Sequence, residues 1–310
     1  MLTILIGLFI GIGLPIQTSI NTRLKNTVGS PFVASLISFS IGTIFLAVIT
    51  MIKNGNLLIP LKIFMKEPLW IWIGGLLGVI YLTSNILLFP KLGSVQTAIM
   101  PIMGQIIMGL LIDNFGLFDS PVKSLTMMRI LGAFLVVIGV IGAVSSNQII
   151  AEKGVSLTKQ NRNHALIIWR IFGVVVGMFS ASQTAINGHL GIVLKSAVKA
   201  AFVSFFVGTV ALILIVVLLH PVLTFDKSKK NPFWMWLGGV IGALFVLGNV
   251  YLVPLIGTGL AVVIVLVGLV SGSLLIDQFG WFDSQKNPIS LPQIISLMVM
   301  IAGVITIRLL

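Results

Sequence analysis

Apolar runs of about twenty residues alternate along the chain with short polar breaks. The runs fall at 2–22, 31–52, 69–88, 93–112, 126–146, 165–187, 198–219, 233–252, 257–276 and 291–309. A helix of ~20 residues crosses the ~30 Å of bilayer hydrocarbon, so the pattern predicts ten transmembrane helices. The first run has neither a basic leader nor a small-residue cleavage site, and reads as a retained helix rather than a signal peptide. The longest break, 147–164, is polar and aperiodic. It reads as a linker between a first unit, 1–146, and a second, 165–310. No break is long enough for a soluble domain, so the chemistry is expected among the helices.

The two units are copies. At an offset of about 165, Gln17, Thr18, Ile20 and Asn21 return as Gln183, Thr184, Ile186 and Asn187. Ser38-Phe39 and Gly42-Thr43 return as Ser204-Phe205 and Gly208-Thr209. Trp72-Ile73-Gly74-Gly75 matches Trp236-Leu237-Gly238-Gly239, and Asn85, Pro90 and Gly93 match Asn249, Pro254 and Gly257. Asp113-Asn114-Phe115-Gly116 matches Asp277-Gln278-Phe279-Gly280. Five crossings per copy is an odd number, so the second copy enters from the opposite side of the membrane. The expected fold is all-α: ten helices in two inverted five-helix repeats, an architecture common among secondary transporters.

Composition narrows the class. Of 310 residues, 57% are hydrophobic and 8% charged, against about 25% charged in soluble domains. The net charge of +12 is spread singly or in small groups between the runs, as basic loops meet anionic headgroups, and does not suggest nucleic acid. The basic residues do not decide which side the termini face. With no cysteine there is no disulfide framework and no thiolate chemistry. The three histidines, His164, His189 and His220, have no acidic partners at ligand spacing, so no metal site is expected. Gly11-x-Gly13 lies in an apolar helix and is no dinucleotide fingerprint. An enzyme is not expected.

The Gln-x-x-x-Asn-x-x-Leu element ending the first helix of each copy resembles the YdcZ-type branch of the drug/metabolite transporter superfamily. So do the Trp-x-Gly-Gly-x-x-Gly third helix and the Ile-Asp-x-Phe-Gly end of the fourth. The resemblance covers nearly the whole chain and is to the fused ten-helix form. It implies a cell-membrane exporter of a small metabolite or drug-like solute. It also implies a central cavity formed mainly by the first four helices of each repeat, with the fifth peripheral or used in association. One departure matters: the small multidrug exporters of the wider superfamily couple to protons through a first-helix carboxylate, whereas neither first helix here contains Asp or Glu.

Gln17, Asn21, Gln183 and Asn187 are the main substrate-binding candidates. Amides at i and i+4 share one helix face and can both donate and accept. These two faces are expected to meet around a central cavity; interhelical hydrogen bonding is the structural alternative. Asn85 and Asn249, inside the third helix of each copy, and Gln105, whose counterpart is Leu269, are further candidates. Arg23 and His189 stand at matching positions and are coupling or gating candidates, histidine because it titrates near neutral pH. Asp113 and Asp277 are gating candidates, or else hydrated residues opening a turn. Trp70, Trp72, Trp234 and Trp236 read as interfacial belt residues. The expected partners are membrane lipids and a small solute; the protein is expected as a monomer or homodimer. No cofactor is expected, and a proton or another ion remains open as coupling partner. A facilitative channel or importer, and a non-transporting membrane partner protein, are the rival readings.

Overall fold

The computed structural model describes residues 2–151, 159–222, 232–284 and 286–309, with side chains outside that description over 144–165, 253–263 and 308–309. All regular elements among these residues are helical: α1 (Leu2–Val28), α2 (Pro31–Asn54), α3 (Leu61–Lys66), α4 (Gly74–Phe115), α5 (Met127–Ala151), α6 (Lys159–Val193), α7 (Ala197–Leu219), α8 (Gly238–Phe279) and α9 (Leu291–Leu309). One-turn 3-10 helices precede α4 and α8 (Leu69–Trp72, Phe233–Trp236) and follow them (Leu117–Asp119, Trp281–Asp283). The short amphipathic helix α3 was not anticipated. The linker expected at 147–164 is entered from both sides by α5 and α6; residues 152–158 lie outside the described residues.

Helices α4 and α8 are each 42 residues long. A straight helix of that length would reach about 63 Å, twice the hydrocarbon thickness, so each supplies two crossings. In α4 the turn-round is at Gly93, with φ 76° and ψ 177°. That region is open essentially to glycine alone, and Pro90, just before it, lacks the N–H that would continue the ladder.

The inverted relation between the copies is visible in their contacts. Thr43 Oγ1 lies 2.8 Å from Thr209 Oγ1, and the rings of Phe39 and Phe205 are 4.9 Å apart between centroids. The two residues of each pair are repeat counterparts. Counterparts touch each other only where the axis relating two copies passes, so the pseudo-two-fold axis runs between α2 and α7. Away from it the pairings exchange: α1 lies along α8 as α6 lies along α4, and α2 meets α8 as α7 meets α4. The fifth helices, α5 and α9, pack on each other.

Glycines set these seams. A Cβ on Gly139 would stand 2.6 Å from the Ser296 carbonyl, and one on Gly303 2.6 Å from the Gly132 carbonyl, so α5 and α9 approach backbone to backbone. The carbonyls of Val174 and Pro101 occupy the same space at Gly104 and Gly177 on the α4–α6 seam. In lipid, where apolar surface is not driven together by water, such close approach holds helices through dispersion contacts. Large side chains such as Phe9, Ile52 and Phe134 point outward to lipid.

Candidate transport site and gates

The amide faces of α1 and α6 do not meet around one space, as the sequence led us to expect. Each is seated in a glycine groove on the third helix of the opposite repeat. Gln17 lies over Gly242 and Asn21 over Gly238, both in α8; Gln183 lies over Gly78 and Asn187 over Gly74, both in α4. A Cβ on Gly78 would be 2.7 Å from Gln183 Nε2. The reason is the pseudo-axis: α1 crosses onto α8 and α6 onto α4, which holds the two faces apart. Gln17, Asn21 and Asn187 are buried and Gln183 half-buried. Asn187 Nδ2 donates to Ser204 Oγ at 3.1 Å.

Just beyond each amide pair lies a contact between repeats. Arg23 at the end of α1 pairs with Asp283 at 2.9 Å. Its repeat counterpart, His189 of α6, faces Asp119 at 3.6 Å. Asp119 and Asp283 are themselves counterparts, and the inversion places the two pairs on opposite membrane faces. Both aspartates sit in strained turns. Phe118 and Asp119 have φ 59° and 55°, Phe282 and Asp283 59° and 61°, a left-handed conformation that costs a bulky residue free energy. The tryptophans at the starts of α4 and α8 pack against the turns that carry these aspartates. Trp70 packs on Phe118 and on His189, with centroids 5.7 and 5.1 Å away, Trp234 packs on Phe282 at 5.3 Å, and Trp72 is 9% exposed.

Asp113 and Asp277 are not hydrated turn residues. Asp113 pairs with Arg129 of α5, a buried guanidinium that also donates to the carbonyls of Lys123 and Ile307. The second repeat has Gln293 in place of Arg129, and Asp277 does something else. Its Oδ1 accepts from Ser94 N–H at 3.0 Å and its Oδ2 from Val95 N–H at 3.1 Å. The break at Gly93 leaves these N–H groups without intrahelical partners, and a carboxylate from the opposite repeat caps them.

Beside that cap a small cavity of about 20 Å³ opens between α1, α4 and α8, room for about one water-sized guest. Thr18, Tyr81, Asn85, Phe89, Ser94 and Thr97 line it, closed by Leu14, Pro15, Ala98 and Leu269. Asn85 Oδ1, Ser94 Oγ and Thr97 Oγ1 are buried and have no hydrogen-bond partner. Asn249, the counterpart of Asn85, turns back on its own helix and donates to the Phe245 carbonyl at 2.9 Å. Gln105 donates to Ser180 of α6 at 3.2 Å. The sequence reading missed Arg170, an arginine within the α6 span whose Nε donates to Gln96 Oε1 at 3.1 Å. A single basic residue inside an apolar run was its signal.

The comparisons agree with this architecture. A solved crystal structure, titled only as that of a protein, aligns over 99% of this chain and 96% of its own with a TM-score of 0.61 at 15% identity, a likeness of fold. The "Inner membrane protein YdcZ" of Escherichia coli (strain K12) is 28% identical over 129 residues, 42% of this chain and 85% of that protein. That is the proportion expected of a single repeat matched against a fused pair. The family described as "Putative inner membrane exporter, YdcZ" matches residues 2–142 and 168–306, one match per repeat, and the chain belongs to this family of multi-pass membrane exporters.

Proposed function

We propose that the protein is a secondary-active exporter of a small metabolite or drug-like solute, working by alternating access between its inverted repeats. The observation that carries this reading is the pair of equivalent contacts on opposite faces, Arg23–Asp283 and His189–Asp119. Each ties the end of one repeat's first helix to the turn after the other repeat's fourth. Opening one while the other holds exposes the interior to one face at a time. The strained aspartate turns suit a contact that must break. Asn85 and Gln105 are the proposed substrate contacts, with Asn249 across the axis. Gln17, Asn21, Gln183 and Asn187 are proposed to line the path as their glycine seats slide, with Arg23, His189, Asp119 and Asp283 as gates. Asp113 and Asp277 act as fixed points about which the gates move. The protein has no proposed cofactor beyond a coupling ion.

The chain's lack of cysteine allows a clean test. In proteoliposomes loaded with a solute identified by thermal-shift screening, the R23C/D283C and H189C/D119C proteins are oxidised separately. Each disulfide should stop transport, and reductant should restore it. Undiminished flux with either gate cross-linked would rule out alternating access at these contacts and favour a channel.

A further inference from the structure

The cavity at the Gly93 break has a donor set that transport of an organic solute does not by itself explain. Asn85, Ser94 and Thr97 are 4%, 2% and 5% exposed, and each presents an unpartnered oxygen. Thr18 adds a hydroxyl already donating to the Leu14 carbonyl, which leaves its oxygen free to accept. Among the described residues no basic side chain lines the space. One residue away is the buried carboxylate of Asp277, and among the described residues no Lys, Arg or His pairs with it. Its hydrogen bonds go to two backbone N–H groups, which carry only a partial positive charge.

Buried unsatisfied oxygens are costly and call for a partner. A hard cation takes oxygen ligands, and a broken helix in a transporter brings such ligands together at membrane depth. A single carboxylate beside neutral oxygens suits one positive charge; divalent ions gather several carboxylates or keep their own waters. In the second repeat the counterpart of Asn85, Asn249, turns to its own helix and donates to the Phe245 carbonyl. We infer that the cavity lined by Asn85, Ser94 and Thr97, beside Asp277, is a binding site for a monovalent cation of sodium size. Its role as coupling ion rests on the transporter reading; the binding itself does not.

The test therefore measures binding alone. The purified full chain is heated in sodium, potassium and choline chloride at matched ionic strength and neutral pH, and radioactive sodium binding is measured in parallel. Sodium should raise Tm by about 3 °C over choline at concentrations near ten times Kd. S94A and T97V each delete an unpartnered hydroxyl, so both should fold and hold their Tm in choline. Each should raise the sodium Kd about tenfold, while T97S, which keeps the hydroxyl, should not. Equal Tm in all three salts with no saturable sodium binding would overturn the site and leave a buried water as the partner. Sodium binding unchanged in S94A and T97V would place the ion elsewhere and overturn it equally. If either variant fails to fold, the wild type decides: sodium bound without saturation, or no better than potassium, sinks the inference. None of these outcomes depends on flux, so a failed transport assay leaves the result intact.

Discussion

Gln17 and Gln183 show how much a residue's role depends on what it is packed against. Their repetition was visible in the chain, but the glycines under them lie some 225 positions or 105 positions away in sequence, a pairing spacing alone does not reveal. Adding a methyl group at Gly78 or Gly242 pushes into the amide. G78A and G242A should lower Tm, each costing about 1–3 kcal/mol as small-to-large changes in a packed core do. The control is G188A on α6, which has open space around it. Loss of a glycine from a helix interior is favourable by ~1 kcal/mol at most, so its Tm should hold or rise. A thermal melt of the three proteins in one detergent separates the cases.

At the scale of the element, the division of α4 into two crossings was legible. Asn-x-x-x-x-Pro-x-x-Gly recurs in both copies, and the predicted spans ended at 88 and resumed at 93. What local signals could not reveal is the cap, because Asp277 stands 183 residues from Ser94. Two substitutions probe the break. G93A forces an L side chain to φ 76°, and should cost about 1–3 kcal/mol. D277N keeps the shape but leaves one acceptor oxygen where two accepted, so one backbone N–H loses its partner and faces an NH2 group; it should cost about 1–3 kcal/mol. If the cap anchors the helix turn, the double variant should lose less than the sum, read as a double-mutant cycle in thermal unfolding. Strict additivity would mean that the two act separately.

For the whole molecule, the two gates are equivalent by symmetry and unequal by chemistry. An arginine stays charged throughout the physiological range, whereas a histidine carries charge only when protonated. Arg23–Asp283 is therefore a standing ion pair at 2.9 Å, whereas His189–Asp119, at 3.6 Å, is the longer contact and is a charge pair only with a protonated imidazole. Among the described residues around His189, the turn Leu117–Asp119 contributes only Asp119, and Leu69–Trp72 contributes no charge. Lys199 of α7 is held by Asn56 and Leu58, and Asp113 of α4 is engaged with Arg129. Spin labels across the His189 face should report a larger open population than labels across the Arg23 face, and H189R should narrow that difference while leaving the Arg23 face unchanged. An open population unchanged by H189R would mean that the His189–Asp119 contact does not hold that face.

The chain alone determined the all-α class, the ten crossings and the inverted repeat. Those depend on hydrophobic run length and on an odd number of crossings, which a linear pattern carries in full. It also carried the family, and it pointed to Arg23, His189, Asn85 and Asp277 but not to Asp119, Asp283, Ser94 or Thr97. Only the tertiary structure decided that the amide faces seat in glycine grooves and that Arg23 and His189 face strained aspartate turns. Only it placed Asp277 on a broken helix beside three unpartnered oxygens. Each of these is a contact between repeats at least seventy residues apart. Its partner is selected by where the pseudo-two-fold axis falls, and that axis exists only once the two copies have packed.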